Sequence, residues 1–405
     1  MKIIIICVIC VLFSGKMSYA LRTFLIRIFV HPVKKKIILS VTNDLTSEQR
    51  VHKVCLFLER IGFDVTMVGR LRRKSLPLDK RSYKTKRLFL FFETGPLFYA
   101  EYNLRLFFYL LFHKADILVA NDLDTLLANY YASKVKGSTL VHDSHEYYTG
   151  VPELEGRPFV KKIWRSIERN IFPKLKYIYT VNDSIAKLYK DDYGVDVKVV
   201  RNFPVLVNRK NQTAKTKKEL DLPEDKKIIL YQGSVNVDRG LLEAIEAMQY
   251  VNDAILLIVG DGDILEQVKS RTEKLDLNEK VTFRKKIPFE ELWNYTSHAD
   301  IGISLDKDTN INYKYSLPNK IFDFVHAGVP VLASDLIEIR KIFSKYNIGE
   351  LIESHDPKHI AEKIKFMLSD PEKRKGWIEN SVIASRDLCW QNEEKVLEGI
   401  YTRFL

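Results

Sequence analysis

The stretch Pro318–Asp323 combines a helix start, a cation and a carboxylate. Pro318 suits the first turn of a helix, because its missing N–H would have no partner there in any case. The free N–H groups of a helix start, with Lys320 beside them, form an anion site. Asp323 follows Asn319 by about one turn, so both are candidates to bind ribose or another part of a nucleotide. The pattern predicts a site for a nucleotide sugar, with a solvated helix cap as the alternative.

A second candidate phosphate site lies between a strand that ends at Gly233-Ser234 and a helix that begins near Arg239. A glycine at a strand end lets the backbone approach a ligand closely, and the following helix start supplies N–H donors. Arg239 can contact phosphate through two nitrogens. We expect Gly233, Ser234, Arg239 and Lys320 to bind phosphate; Arg239 could instead be a surface residue of the loop.

Two weaker signals follow in the same half of the chain. Gly260 lies in the turn Val259–Asp263, which resembles a turn that borders the nucleotide in the family named below, although a plain turn explains the residues nearly as well. Arg284 ends a predicted strand at the edge where a nucleotide base would bind. A solvated basic turn is an equal alternative.

In the first half, His142-Asp143-Ser144-His145-Glu146 follows a predicted strand. Ligands gather at the carboxyl ends of strands in open α/β sheets. We therefore predict that His145, Asp143 and Glu146 act in catalysis. The alternatives are a capped structural loop and a metal site formed by His142 and His145.

The loop after the first strand contributes candidates on the acceptor side. Arg50 lies in a first helical turn, where a cation opposes the helix dipole unless it meets an anion. An acceptor phosphate is one such anion, and neighbouring Asp44 or Glu48 is another; Asp44 is also placed on the acceptor side. Thr46 and Gln49 have the spacing of a capping box.

These residues must be positioned by strands and helices. From Lys36 on, β-branched runs alternate with amphipathic stretches, which predicts an α/β fold with parallel sheets. In the first half we expect strands at Ile37–Val41, Asp64–Val68, Ile117–Ala120, Thr139–His142, Tyr177–Val181 and Val197–Val200. In the second half we expect strands at Ile228–Tyr231, Ala254–Val259, Val281–Phe283, Ile301–Leu305 and Val329–Ala333. The predicted divisions are a lead segment (1–33), a first domain (34–202), a linker (203–225), a second domain (226–385) and a final helical segment (386–405).

Residues 316–320, Ser-Leu-Pro-Asn-Lys, resemble a subgroup of the retaining glycosyltransferases of family 4, which have the GT-B fold. That family has a Glu, seven intervening residues and a second Glu; here Tyr315 and Asp323 occupy the two positions. The family's phosphate-binding Arg and Lys fall on Ser234 and Arg239, and its His-Asp pair falls on His142-Asp143. The resemblance extends over most of the chain from Lys36.

The resemblance implies two Rossmann-like domains facing a cleft, with a last helix, Trp390 to Phe404, that crosses back to the first domain. It implies transfer of a sugar from a nucleoside diphosphate sugar to a glycan or lipid-linked acceptor, with retention and without a metal or cofactor, in polysaccharide or glycoconjugate synthesis. A sugar-nucleotide 2-epimerase of the same fold is one rival. A non-catalytic binding protein is another, since Tyr315 replaces an acid.

The formal charge of +12 and pI of about 9.2 favour acidic partners such as nucleotide sugars and anionic lipid surfaces. No nucleic-acid partner is expected, because no zinc-finger, basic-zipper or RNA-binding signature appears. The segment Arg70–Arg87 holds nine Lys or Arg and one Asp, and it predicts either a mobile loop that touches anionic lipid or a solvated flap. Phe89, Phe91, Phe92, Phe98 and Leu104–Phe112 could be core or lipid-facing.

The first 33 residues leave several alternatives open. The apolar run Ile3–Phe13 followed by Ser18-Tyr19-Ala20 is similar to a signal peptide. Met17 could instead be the true start, or Leu21–Val30 could touch a membrane. Four cysteines without a pattern favour a reducing compartment. We expect a cytoplasmic protein, with peripheral attachment to the inner membrane face as an addition.

Overall fold

Two parallel β-sheets, each covered by helices, organise the chain in a computed structural model that describes residues 34–207 and 214–405. The strands are continuous apolar runs, such as Ile228-Ile229-Leu230, whose side chains are buried on both sheet faces. The α/β class and the two Rossmann-like domains expected from the sequence are confirmed.

The first domain has a seven-stranded sheet of order β3-β2-β1-β4-β5-β6-β7. Its elements are β1 (Lys36–Asp44), α1 (Gln49–Arg60), β2 (Asp64–Leu71), β3 (Lys84–Phe89), α2 (Gly95–Phe112), β4 (Ile117–Asn121), α3 (Leu123–Lys136), β5 (Thr139–Ser144), α4 (Pro158–Ile171), β6 (Tyr177–Thr180), α5 (Asp183–Tyr193) and β7 (Lys198–Val199).

The second domain has a six-stranded sheet of order β10-β9-β8-β11-β12-β13. Its elements are β8 (Lys227–Ser234), α6 (Leu241–Ala247), β9 (Ala254–Asp261), α7 (Leu265–Lys274), β10 (Val281–Arg284), α8 (Phe289–Thr296), β11 (Ile301–Ser304), α9 (Ile311–Lys314), α10 (Asn319–His326), β12 (Val331–Ser334), α11 (Ile337–Tyr346), β13 (Gly349–Ile352), α12 (Pro357–Ser369) and α13 (Pro371–Asp387).

The last helix, α14 (Trp390–Tyr401), crosses back to the first domain, as expected. Trp390, Leu397 and Tyr401 are buried in the core that β1 and α1 build. The hydroxyl of Tyr401 lies 3.3 Å from that of Tyr179 on β6, and the backbone N–H of Trp390 donates to the carbonyl of Pro204. Helix α14 therefore contributes side chains to the core of the first domain.

Several local predictions were wrong. The basic segment 70–87 is not one mobile loop, because it includes the end of β2 and most of edge strand β3. Helix α1 is capped by the carboxylate of Glu48, which accepts from the backbone N–H of Val51, and not by Thr46. Strand β13 was not foreseen.

The predictions made for residues 1–33 lie outside the described residues. Within the described ranges, none of the helices combines the length and the apolar character that crossing a bilayer requires.

The return of α14 makes a testable contribution to stability. Leu397 is fully buried, so Leu397→Ala should lower the free energy of unfolding by about 2–5 kcal/mol, because it leaves a cavity in the first-domain core. Urea unfolding followed by circular dichroism measures this. Glu398→Ala, at the exposed neighbouring position, is the control and should change stability by less than about 0.5 kcal/mol. Equal effects of the two variants would contradict the assigned packing.

Candidate functional site

A cleft of about 640 Å³ lies between the two domains, at the carboxyl ends of strands from both sheets. His145 and Glu146, which follow β5, line it from the first domain. Gly233 and Ser234, which end β8, line it from the second. The cleft therefore lies where ligands bind in open parallel sheets.

Direct contacts join the domains beside this cleft. The side-chain amide of Asn312 donates to the carbonyl of Tyr147 (3.1 Å) and accepts from its N–H (2.9 Å). The Asn182 amide donates to the carbonyl of Tyr315 (2.8 Å). A Cβ atom added to Gly150 would lie 2.0 Å from Ile311 Cγ2, so the backbones approach closely here. These contacts hold the segment before α10 against the first domain.

The start of α10 forms one wall of the cleft, as predicted. Pro318 is the N-cap residue and no side chain caps this end, which leaves N–H groups available to a ligand. Lys320 Nζ lies 4.0 Å from the centre of the Tyr231 ring. Burial lowers the pKa of Lys320 to about 8. Gly233 has φ +123°, and a Cβ atom there would be 3.8 Å from Lys320 Cε, so loop and lysine are adjacent.

Arg239 lines the same cleft and is fixed by a carboxylate that sequence analysis missed. Its Nη1 lies 2.7 Å from Oδ2 of Asp306, which is fully buried just after β11. The guanidinium also lies 4.6 Å from the centre of the Tyr313 ring. Burial alone lowers the pKa of Arg239, but Asp306 together with Tyr313 and Tyr231 outweighs burial, and the net shift is upward. The structure thus brings Arg239 and Lys320 together in a single site.

Asp323 and Asn319 line the cleft from α10. Oδ2 of Asp323 accepts a hydrogen bond from Nε2 of Gln232 (3.2 Å), and Oε1 of Gln232 accepts from the hydroxyl of Thr296 (2.8 Å). Asp323 also lines an adjoining cavity of about 250 Å³. The carboxylate is therefore oriented at the junction of two cavities.

His145 is held as a cation on the opposite wall. Its Nδ1 lies 3.1 Å from Oδ2 of Asp122, and its Nε2 lies 3.2 Å from Oδ2 of Asp143. Burial alone lowers the pKa of this imidazole, but the two carboxylates outweigh burial and raise it well above its ordinary value. An imidazolium therefore faces the cleft at neutral pH.

Asp143 does not reach the cleft, which corrects its prediction as a residue that acts on substrate. It is fully buried, and its Oδ1 lies 3.0 Å from Nη2 of Arg50. Burial alone raises the pKa of this carboxyl, but Arg50 and His145 hold it below the usual range. Asp143 positions the groups around it.

Arg50 lines the cleft but has an internal partner. Its anion is Asp143, rather than Asp44 or Glu48, and it also donates to the carbonyl of Val200 (3.0 Å). The expectation that Arg50 meets an anion is correct. The anion, however, is a carboxylate on β5, 93 residues further along the chain. An acceptor phosphate is not needed to explain Arg50.

Glu146 lines the cleft next to His145. Burial, together with the carboxylates of Asp122 and Glu153, raises the pKa of Glu146 to about 8. The side chain is therefore mostly protonated near neutral pH and can donate a hydrogen bond. The first-domain wall presents a cation and a neutral acid side by side.

Besides Asp143, three predicted site residues lie outside the lining of the cleft. Gly260 packs against β8, where an added Cβ atom would lie 1.9 Å from the carbonyl oxygen of Gly233. Arg284 donates to the carbonyl of Asp221 (2.9 Å) and pairs with its carboxylate. Asp44 pairs with Arg87 (3.5 Å). Gly260 is thus a glycine because of strand packing, and the two charged residues contact neighbouring segments of their own chain.

His142 is also remote from the cleft lining. It is fully buried, its Nδ1 lies 3.1 Å from the carbonyl oxygen of Ala120, and burial lowers its pKa to about 4. Within the described ranges, no group of three or more His, Cys, Asp or Glu side chains is arranged to hold a metal ion. The geometry therefore gives no support to the alternative of a metal site formed by His142 and His145.

Sequence analysis missed Asp122, Asp306 and Asn312. Asp122 and Asp306 directly follow the predicted strands that end near 120 and 305. The rule that ligands gather at strand ends could have found both acids. Asn312 has no comparable signal, because its role depends on the contact between domains.

Comparison with known proteins identifies the two domains. Residues 47–203 match the model of Glycosyltransferase Family 4, and residues 212–382 match that of the Glycosyl transferases group 1. The two matches together cover most of the chain, and both families are glycosyltransferases.

Solved structures share this fold across nearly the whole chain. A sucrose-phosphate synthase from Thermosynechococcus elongatus superimposes with a TM-score of 0.74 at 17% identity, covering 91% of this chain and 99% of that one. Anabaena Alr3699/HepE in complex with UDP and glucose gives 0.69 at 14% identity, covering 91% of this chain and 100% of that one.

Curated relatives match a shorter stretch. The lipopolysaccharide core biosynthesis glycosyltransferase LpsD of Rhizobium meliloti is 22% identical over 192 residues, which are 47% of this chain and 53% of that protein. A D-inositol 3-phosphate glycosyltransferase of Xylanimonas cellulosilytica is 22% identical over 205 residues, which are 47% of this chain and 46% of that protein. The chain thus spans about half the length of these relatives.

The charge of His145 is directly measurable. We expect NMR of histidine-labelled protein to show that His145 stays protonated well above pH 6.5, the ordinary value. Asp122→Asn should lower its pKa, because one of two adjacent carboxylates is lost. Asp183→Asn, which removes a carboxylate paired with Arg201, is the control and should leave His145 unchanged. Titration of His145 near pH 6.5 in the parent would contradict the assignment.

Proposed function

We propose that the protein transfers a monosaccharide from a nucleoside diphosphate sugar to a hydroxyl of a glycan or lipid-linked acceptor, with retention of anomeric configuration. The observation that carries the proposal is the convergence of Arg239, Lys320 and the open start of α10 on one wall of the interdomain cleft. Cations and free N–H groups at one place suit a diphosphate better than they suit a neutral ligand.

The donor diphosphate binds between Gly233-Ser234 and the start of α10. Arg239 and Lys320 neutralise its charge, and the backbone near Gly233 donates N–H groups. Because Asp306 already fixes Arg239, this cation needs little rearrangement when negative charge develops on the departing phosphate. These cations supply the charge stabilisation for which many transferases use a metal, so the proposed reaction is metal-independent and needs no cofactor.

The nucleoside part of the donor extends from Asp323 and Asn319. Asp323 accepts a hydrogen bond from a ribose hydroxyl, since its carboxylate lies at the junction of the cleft and the adjoining cavity. The HepE structure, solved with UDP and glucose, supports a nucleotide sugar as ligand.

The acceptor hydroxyl enters from the first-domain wall. It attacks the anomeric carbon from the side of the leaving group, and its proton passes to the departing phosphate oxygen as the bond to the sugar breaks. The protonated Glu146 donates a hydrogen bond to a sugar hydroxyl, while the cation of His145 stabilises negative charge in the cleft. Asp143 and Arg50 position this wall without contacting substrate.

The biological setting proposed is synthesis of a cell-surface polysaccharide or glycoconjugate in the cytoplasm. Cytoplasmic nucleotide sugars would then reach the cleft directly. The curated relative named for lipopolysaccharide core biosynthesis supports this setting.

The decisive experiment incubates the purified protein with nucleoside diphosphate sugars, chosen by thermal shift, and a panel of glycan and lipid-linked acceptors. We expect release of the nucleoside diphosphate together with a glycosylated acceptor. Arg239→Ala should weaken donor binding by about tenfold to a hundredfold, since a hydrogen-bonded charge is lost. Arg284→Ala, which lies outside the cleft, is the control and should bind normally.

Other outcomes of this experiment assign the rival functions. An epimerised sugar nucleotide that forms without acceptor would point to a 2-epimerase. Donor binding without transfer to any acceptor would favour a non-catalytic binding protein, which the replacement of an acid by Tyr315 motivates. Equal donor affinity of the two arginine variants would remove Arg239 from the phosphate site.

The pKa of Lys320 predicts how donor binding depends on pH. Affinity for uridine diphosphate, measured by calorimetry, should fall as pH rises through about 8, because Lys320 loses its proton and with it the attraction to phosphate. Lys320→Arg remains charged in this range, so its affinity should change little. Parallel pH profiles of parent and variant would show that Lys320 is not the titrating group.

A further inference from the structure

Helix α2 (Gly95–Phe112) has two apolar faces, of which the protein covers only one. Its inner face is buried against the first sheet and consists of Phe98, Tyr102, Leu106 and Leu110. Its outer face carries large apolar side chains with exposed fractions of 58% for Leu97, 58% for Leu104, 47% for Phe108 and 77% for Phe112. The inner face is therefore part of the core, which was one of the two sequence alternatives, and the outer face is exposed.

The loop before α2 extends this outer face. Phe89, Phe91 and Phe92 are all exposed. The carboxylate of Glu101 on α2 accepts hydrogen bonds from the N–H groups of Phe91 (2.9 Å) and Phe92 (3.0 Å), and the guanidinium of Arg105 lies 5.2 Å from the Phe91 ring centre. The aromatic side chains are thus held against α2. The resulting apolar surface runs along a helix about 27 Å long.

Cations surround both ends of this surface. A groove of about 400 Å³ beside the end of α2 is lined by Lys36, Lys84, Lys86 and Lys114, and Asp64 is the one acid among its described lining residues. Asp64 pairs with Lys84 (2.7 Å), which leaves Lys36, Lys86 and Lys114 as the excess positive charge of the groove. Near the start of α2, Arg72, Arg73 and Lys74 are exposed, and the backbone N–H of Arg73 donates to the carboxylate of Glu93 (2.7 Å). The outer face therefore combines apolar side chains with positive charge.

We propose that this outer face docks the protein on an anionic lipid membrane. The exposed Leu and Phe side chains of α2 enter the boundary between headgroups and acyl chains, and the lysines of the groove contact lipid phosphates. A second copy of the chain fits the face less well, because the cations of two copies would meet and because interface cores are depleted in charge.

The test uses the full-length chain and sedimentation with vesicles. We expect binding to vesicles of phosphatidylcholine mixed with phosphatidylglycerol, and little binding to phosphatidylcholine alone. The double variant Lys86→Gln/Lys114→Gln should bind the anionic vesicles about 25-fold more weakly, at about fivefold for each lysine. Lys162→Gln/Lys174→Gln is the matched control in the same domain and should bind like the parent.

A second pair of variants tests how much the exposed apolar side chains contribute to vesicle binding. Leu104→Ser/Phe108→Ser/Phe112→Ser should weaken binding by about a hundredfold, at about fivefold for each partly inserted side chain. The control Phe159→Ser/Ile163→Ser/Ile383→Ser removes exposed apolar side chains from other helices and should have little effect. Unchanged thermal unfolding of all variants shows that folding is intact.

Two results would overturn the proposal. The first is that the lysine double variant and the apolar triple variant both bind vesicles as tightly as the parent does. That result would assign membrane contact to another part of the chain. The second is a parent that binds no vesicles but forms dimers that the triple outer-face variant converts to monomers. That result would assign the face to a second copy.

Discussion

A buried carboxylate in each domain fixes a cation that lines the cleft. Asp143 holds Arg50 and His145 in the first domain, and Asp306 holds Arg239 in the second. An isolated buried charge is very unfavourable, so each carboxylate requires its partner and limits where that partner can lie. Asp143 lies near the end of β5, and Asp306 follows β11. The two sheets therefore determine where the charged groups of the cleft lie.

Contacts between the domains fix the position of one cleft wall relative to the other. Asn312 bonds to the backbone of Tyr147, and α14 returns to the first-domain core. Lys53 adds a bond to the carbonyl of Phe203 (2.6 Å) and lies 4.6 Å from the ring centre of Trp390. The linker and the last helix are thus tied to the same helix, α1. The opposed walls of the cleft consequently depend on residues from both ends of the described chain.

The fold could be predicted from the sequence because its central strands are continuous apolar runs bounded by turn residues. The edge strand β3 could not, because Lys84-Thr85-Lys86-Arg87 shows no apolar pattern and one side of an edge strand lacks a partner. Lys320, Arg239 and Asp323 all line one cleft, as expected. The sequence marks the helix starts at which Lys320 and Arg239 lie, and Asp323 follows one helical turn after Asn319.

The errors in the site have a common cause. Arg50 was assigned to an acceptor phosphate or a neighbouring acid, and Arg284 to a nucleotide base, from their positions at a helix start and a strand end. Each instead has a partner distant along the chain. Gly260 was linked to a nucleotide, although it is required by contact with Gly233. Local sequence shows that a charge or a glycine needs an explanation, but the partner that provides it is set by tertiary packing.

The close approach of Gly150 to Ile311 limits the shape of the cleft. Because no space exists for even one methyl group between them, the domains already touch at this point and cannot move nearer there. Any larger residue at 150 would act as a spacer, widening the cleft and separating the two walls. The smallest amino acid therefore limits how closely the two domains can approach each other beside the cleft.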